Sequence, residues 1–411
     1  MKLKLRPYQE TIIKRGVEIL YEHKLLYLAM EVRTGKTLTA LGICNLLPIV
    51  NVLFISKKKA LSSIEADYAL LSPSFYLETI NYESLHKINK KGWDVIICDE
   101  AHGLGAYPKP SKRAKQVKEF LTINTPYYIL LSGTPTPESY SQMYHQVYGH
   151  PNNPFAEFIN FYKFARKFVR LRAKYLHGYT TNDYSVGKKS ILTSMYKYTL
   201  NYTQKAAGFP VVTTEKVLTV DMNPQTYLLC DKLKKELVVE GKDEVILADT
   251  GVKLMTKLHQ LYSGTVKFES GNSKVLDLSK ALFIKNKFIN KKIGIFYKFT
   301  AELVALKEVF GEMLCTELEE FNSTQKNIAL QIVSGREGIS LEKAECLVYY
   351  NIDFSATSYW QSRDRMTTKE RLKNNIYWIF SNRGIEEDIY KAVTRKKDYT
   401  LQHFKRDLLT L

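Results

Sequence analysis

No run of about eighteen apolar residues occurs in the 411-residue chain, so no segment is expected to cross a membrane as a helix. The first residues, Met1-Lys2-Leu3-Lys4-Leu5-Arg6-Pro7, lack the apolar core and cleavage site of a secretory signal. Cysteine is scarce: Cys44, Cys98, Cys230, Cys315 and Cys346 stand singly, four of them in apolar stretches. An odd, dispersed set argues against a disulfide framework and a zinc cluster, and points to a reducing cytoplasm. No short-period repeat, low-complexity tract, nuclease or methylase constellation, or chromatin-reading module is visible. Acidic residues are also short, with 42 Asp and Glu against 60 Lys and Arg, a formal net charge of +18. Such an excess costs self-repulsion and is usually matched by a polyanion. Nucleic acid fits, because Lys and Arg neutralise phosphates and release counterions. A generally basic, soluble surface is the plainer reading of the same number.

The length suits two domains, each with a full core. Apolar runs at Leu25–Glu31, Val50–Ser56, Val95–Asp99 and Tyr127–Leu131 alternate with amphipathic segments such as Lys36–Leu47 and Lys112–Leu121. Continuous apolar strands separated by helices indicate an α/β fold with a parallel sheet covered on both faces. A second alternating set follows at Ile293–Phe299, Ile328–Ser334, Cys346–Ile352 and Ile376–Ser381. Between the sets lies a stretch rich in Tyr, Phe, Lys and Arg, then a short β-rich run at Val217–Met222 and a helical stretch from Gln225 to about Tyr262. The expected organisation is a first lobe over 1–138, a helical bridging segment over 139–225 and a second lobe over 226–411.

The chemistry begins at Glu31-Val32-Arg33-Thr34-Gly35-Lys36-Thr37, which follows the first apolar run. Gly35 allows close backbone approach, Lys36 reaches the β- and γ-phosphates, and Thr37 offers a hydroxyl to magnesium. Arg33 and Thr34 complete the loop. The full phosphate-loop pattern has glycine where this chain has Met30. The third run ends in Asp99-Glu100-Ala101-His102: Asp99 is expected to hold Mg²⁺, and Glu100 to orient or deprotonate the attacking water. An acidic pair at a strand end is often merely solvated, but solvation does not explain its place between Val95-Ile96-Ile97-Cys98 and Ala101-His102. Another strand ends in Leu131-Ser132-Gly133-Thr134-Pro135, where Ser132 and Thr134 are placed to link phosphate state to movement. Alone, Ser-Gly-Thr-Pro is equally a good turn.

With these motifs in order, the chain resembles superfamily-2 helicases, and specifically the Swi/Snf-type DNA translocases, from about Leu5 to Lys397. Leu5-Arg6-Pro7-Tyr8-Gln9 resembles the family's opening glutamine motif, in which Gln9 would read adenine. Val52 through Lys57-Lys58 and Asn81-Tyr82-Glu83-Ser84-Leu85 resemble segments that meet the nucleic-acid strand. The resemblance therefore offers Lys57, Lys58 and Tyr82 as DNA contacts. Asp99 through His102 matches a DEAH box, with His102 a coupling residue. In the second half, Ile293–Leu303 resembles motif four and Ser334-Gly335-Arg336-Glu337-Gly338-Ile339 resembles motif five. Arg336 is then a DNA contact and Gly338 a nucleotide contact. Asn351 through Phe354 to Gln361 keeps the family's spacing, with Phe354 where tryptophan is usual. Gln361-Ser362-Arg363-Asp364-Arg365 resembles motif six, giving Gln361 a coupling role and Arg365 that of arginine finger. The family usually has another arginine three residues on, where this chain has Thr368; Arg363 or Arg371 is a candidate substitute. Tyr202-Thr203-Gln204-Lys205, Phe209-Pro210 and Gln225-Thr226-Tyr227 are similar to the Swi/Snf bridging segment.

The resemblance implies two RecA-like lobes that bind ATP and Mg²⁺ between them and move along DNA, whether duplex, forked or single-stranded, without reading its sequence. A branch-migrating or fork-unwinding helicase, an RNA helicase and a low-turnover nucleotide-gated DNA binder are the alternatives. The expected state is a cytoplasmic monomer with possible replication or recombination partners. Abundant Lys, Asn and Tyr suggest a phage or small mobile element. Phe161 through Arg172 interleaves aromatic and basic residues at helical spacing, with Phe161, Phe164, Phe168 and Leu171 as one stripe. It is either a core stripe with a solvated face or a phosphate-tracking helix.

Overall fold

The computed structural model describes residues 5–176, 179–209, 212–241, 244–335, 339–368 and 370–395. These fold into two compact units, one running to Gly208 and the other Phe209–Arg395.

The first unit is built on six strands: β1 Leu25–Met30, β2 Asn51–Ser56, β3 Tyr76–Asn81, β4 Val95–Cys98, β5 Tyr127–Leu131 and β6 Thr199–Tyr202. They pair in the order β3-β2-β4-β5-β1-β6, every pair parallel. All six residues of β1 are buried. Leu25, Tyr27 and Ala29 enter one apolar cluster, while Leu26, Leu28 and Met30 enter the other. The two-residue period of a strand thus feeds a core on each face, as a sheet covered on both sides demands. One face is closed by helices α1 Pro7–His23, α2 Lys36–Cys44 and α3 Leu61–Leu71. The other is closed by α4 Lys112–Asn124, α5 Met143–Val147 and α6 Phe161–Phe168.

Local signals set these helices. Pro7 occupies the first turn of α1, and Lys24 ends it in the left-handed region at φ 60°, its N–H bonding Leu20 O. Ser111 caps α4 by accepting from Ala114 N at 3.2 Å. On α6, Phe161, Phe164, Ala165 and Phe168 are buried in the core. Leu171 does not continue that stripe: the helix stops at Phe168, and Leu171 is 47% exposed.

The second unit repeats the plan with β7 Val212–Val220, β8 Ile293–Tyr297, β9 Leu314–Cys315, β10 Asn327–Gln331, β11 Cys346–Tyr349 and β12 Lys373–Ser381. Their order is β9-β10-β8-β11-β12-β7, again all parallel. Two six-stranded parallel sheets, each with its own two-sided core, give the expected pair of RecA-like α/β lobes.

The stretch 139–225 differs from a purely helical bridge. It carries α5 and α6, but also a hairpin, Arg172–Leu176 with Tyr179–Asp183. It then returns one strand to each sheet, β6 beside β1 and β7 beside β12. The unit boundary at Gly208/Phe209 falls between those two strands. No helix among the described residues is long and apolar enough to cross a membrane.

Candidate nucleotide site

In an open parallel sheet, ligands collect beyond the carboxyl ends of the strands. Four strand ends of the first unit carry chemistry there: β1 leads into the Glu31–Thr37 loop, β2 ends in Ser56, β4 in Asp99-Glu100 and β5 in Ser132.

Met30 is the last residue of β1 and is fully buried. The chain has not yet turned there, which removes the need for glycine. The positive-φ positions come later, at Arg33 (64°) and Gly35 (76°). Gly35 is required twice over. Its φ disfavours an L side chain, and a Cβ would lie 2.5 Å from Gln9 Nε2. Thr34 closes the loop by donating its hydroxyl to Glu31 O at 2.7 Å. No side chain caps α2, so its first-turn amides, with Lys36 and Thr37, are left for an anion.

Gln9 is 4% exposed and fully engaged: Oε1 accepts from Arg6 N at 3.0 Å, and Nε2 donates to Gly35 O at 3.3 Å. Tyr8 donates its hydroxyl to Thr34 O at 3.0 Å and stacks on Tyr202 at 4.4 Å. From beyond β6, Gln204 gives its backbone N–H to Glu31 Oε2 at 2.7 Å and its amide to Val32 O at 3.0 Å. The loop is therefore clamped from α1 on one side and from 202–204 on the other.

Asp99 accepts the Ser56 hydroxyl at 2.7 Å and the Glu100 N–H at 2.9 Å. Burial, then the Glu100 charge, push its pKa up to about 6, against the pull of Lys36 and the Ser56 hydrogen bond. A carboxylate held above its ordinary range beside a phosphate loop is well matched to a hard cation. Asp99, with Thr37 supplying a hydroxyl, fits Mg²⁺. Glu100 sits in the left-handed region at φ 49°, a conformation that costs a non-glycine residue strain. Its Oε2 lies 3.2 Å from His102 Nδ1, and that same nitrogen is 3.0 Å from Ser132 Oγ. Ser132 Oγ also accepts from Thr134 N at 3.1 Å. Glu100, His102, Ser132 and Thr134 thus form one connected path between two strand ends.

Tyr82 corrects the expectation of a DNA contact. It is 2% exposed, and its hydroxyl is spent on Asp99 O at 2.6 Å. It holds the backbone of the Asp99 turn instead. Lys57 and Lys58 lie just past β2, with Lys58 exposed.

In the second unit, Arg365 is anchored where motifs five and six meet. Its Nη1 donates to Ile339 O at 3.3 Å, and its carbonyl accepts from Leu341 N at 2.9 Å. Gln361 is 4% exposed on the helix Ala356–Arg363. Arg336 and Gly338 lie outside the described residues. The candidate substitutes for a second finger are committed elsewhere. Arg363 pairs with Glu215 at 3.0 Å, both largely buried, and Arg371 donates to the carbonyls of Glu342, Glu345 and Lys373. Thr368 Oγ1 accepts from Arg371 N at 3.2 Å, which closes a turn.

The sequence alone does not mark Ser56, Glu31 or Gln204 as site residues. Ser56 and Gln204 stand inside stretches that carry the family likeness, and Glu31 opens the phosphate-loop stretch without a role of its own being assigned.

A clamped Gly-Lys-Thr loop, the Asp99-Glu100 carboxylates at a neighbouring strand end and a second parallel-sheet unit are the parts expected of a helicase-like ATP hydrolase. The SNF2-related domain matches residues 28–236, just over half of the 411, and the chain belongs to that family. Among solved structures, it is similar to the SWI2/SNF2 ATPase core of Sulfolobus solfataricus in complex with dsDNA, at 16% identity over 97% of this chain and 92% of that one, TM-score 0.43. The SWI2/SNF2 ATPase core domain of the same organism gives 16% identity, 97% and 91% coverage and TM-score 0.41. Among curated proteins nothing matches.

Proposed function

We propose that the protein is an ATP-dependent DNA translocase that moves along DNA without reading its sequence. The observation that carries this reading is the Glu100–His102–Ser132–Thr134 path, which ties the hydrolytic carboxylate to a second strand end. A site that only bound nucleotide would have no need of it.

The α2 amides and Lys36 bind the triphosphate, and Gln9 and Gln204 hold the loop in shape around it. Gln9 acts through Gly35, because both ends of its side chain are already bonded. Asp99 and Thr37 would hold Mg²⁺, which would supply positive charge to the phosphate oxygens. Glu100 orients the attacking water and takes its proton. Arg365 of the second unit stabilises the charge that develops on the transferred phosphoryl group. Loss of that group alters the hydrogen bonds along His102 and Ser132. Affinity for DNA then changes with nucleotide state, as directed movement requires. Lys57, Lys58 and Arg336 contact the phosphate backbone, and the chain's excess of positive charge supports a polyanionic track.

Displacement of a third strand from a triplex tests the reading. ATP-dependent displacement without opening of a forked duplex supports translocation. Fork opening favours the unwinding alternative, and stimulation of ATP hydrolysis by RNA alone would overturn the choice of DNA.

A further inference from the structure

The hydrogen-bonded path from Glu100 to Ser132 does not stop at the strand end but continues into the core of the first unit. Tyr27 on β1 and Gln146 on α5 are both buried, and neither stands in a motif. Tyr27 donates its hydroxyl to Gln146 Oε1 at 2.7 Å, and Ser132 bonds the same phenol oxygen. Gln146 Nε2 donates to Pro135 O at 2.8 Å and to Gln142 O at 3.1 Å. Tyr128 pins the backbone there, its hydroxyl donating to Gln146 O at 3.0 Å.

The hydrogens in this path can run only one way. A carbonyl only accepts, so both Nε2 hydrogens of Gln146 are committed and Oε1 is the atom that faces Tyr27. A phenol has a single hydrogen. Burial keeps it in place by holding the Tyr27 pKa well above the ordinary range, and Gln146 takes it. The Tyr27 oxygen is then an acceptor, and the Ser132 hydrogen goes there.

Ser132 Oγ is left with lone pairs alone for its other neighbours, Thr134 N at 3.1 Å and His102 Nδ1 at 3.0 Å. The proton between Ser132 and His102 must therefore sit on Nδ1. The same polarity suits Glu100, whose Oε2 lies 3.2 Å from that nitrogen and can only accept when ionised.

We propose that Tyr27 and Gln146 are positioning residues for ATP hydrolysis: by claiming the Ser132 hydrogen, they hold His102 as the Nδ1–H donor that steadies the Glu100 carboxylate. The proposal rests on the reading of Glu100 as the group that orients the attacking water. Without the Tyr27 hydroxyl, Ser132 turns its hydrogen to His102 Nδ1, the ring proton moves to Nε2, and Glu100 loses a donor. Gln146→Leu reaches the same end by another route, because Tyr27 with no acceptor beyond it donates to Ser132.

The test joins ATPase kinetics to NMR of the full chain labelled with ¹⁵N at histidine, His102 being assigned by the signals that His102→Gln removes. In the wild type His102 should carry its hydrogen on Nδ1; in Tyr27→Phe and in Gln146→Leu it should carry it on Nε2. Both variants should lose about tenfold in kcat with KM for ATP unchanged. In a His102→Ala background Tyr27→Phe should cost nothing further. Unchanged signals from the other histidines report that each variant is folded. A wild-type His102 protonated on Nε2 alone, a tautomer that both variants leave in place, a KM that rises as kcat falls, or additive losses with His102→Ala would overturn the proposal. A Glu100→Gln protein as active as the wild type overturns the reading of Glu100, and is told apart by NMR signals that still place the hydrogen on Nδ1.

Discussion

Ser56→Ala is a test of how Asp99 is kept ready for magnesium. The Ser56 hydroxyl donates to Asp99 Oδ2 at 2.7 Å, and this bond favours the ionised carboxylate. Asp99 titrates at about 6 because burial and Glu100 outweigh Ser56 and Lys36. A hydrogen bond to a charged group is worth about 1.5 kcal/mol or more, roughly one pH unit. Removing it should move the midpoint upward, from about 6 to roughly 7. Binding of the cation requires the ionised form, so the variant must first release a proton over a wider pH range. At pH 6 the wild-type carboxyl is half protonated and the variant's about nine-tenths, which weakens Mg²⁺–ADP binding about fivefold; at pH 8 the two should agree. Calorimetric titration of both proteins at the two pH values provides the ratio, and the nucleotide's own ionisation cancels in it. An equal loss at pH 6 and pH 8, or a variant that binds relatively better at pH 6, would show that the Ser56 hydroxyl does not keep Asp99 ionised.

Other outcomes follow from the same geometry. Gly35→Ala should lower ADP affinity about tenfold through left-handed strain and collision with Gln9, and Gln9→Ala should restore only the part due to collision; full recovery in the double variant would show that φ does not matter. Lys280 and Glu386 form an ion pair at 2.6 Å with both side chains fully buried. Lys280→Met should therefore cost about 3–5 kcal/mol in urea unfolding, with most of it regained when Glu386→Leu is added. A single-variant loss below about 1 kcal/mol would mean that the pair is not buried as described. Arg365→Ala should slow ATP hydrolysis about 10³-fold or more, whereas Arg363→Met combined with Glu215→Leu should leave it intact; the reverse pattern would move the finger to Arg363.

The strands legible in the sequence were those buried on both faces, because such strands read as unbroken apolar runs. The strands of the two large sheets that were missed stand at sheet edges, as does Val212–Val220, seen only in its second half. Tyr76–Asn81 and Thr199–Tyr202 flank the first sheet, Leu314–Cys315 and Val212–Val220 the second. An edge strand has a neighbour on one side only and tolerates the polar residues of Val212–Lys216, which hid its first half. The loop and carboxylates were legible because their chemistry depends on neighbours in sequence. Tyr82 and Ser56 were not, since each acts on Asp99 from a different strand end. The same holds for Arg363, whose ion-pair partner Glu215 lies far away in sequence on β7.

ATP hydrolysis at Asp99 and Glu100 is expected to be coupled to DNA. Its most direct test is the steady-state ATPase rate of the full chain with and without duplex DNA, alongside Glu100→Gln. The rate should rise on addition of DNA and disappear in the variant. Equal rates with and without DNA, or a Glu100→Gln protein that still hydrolyses ATP, would contradict it.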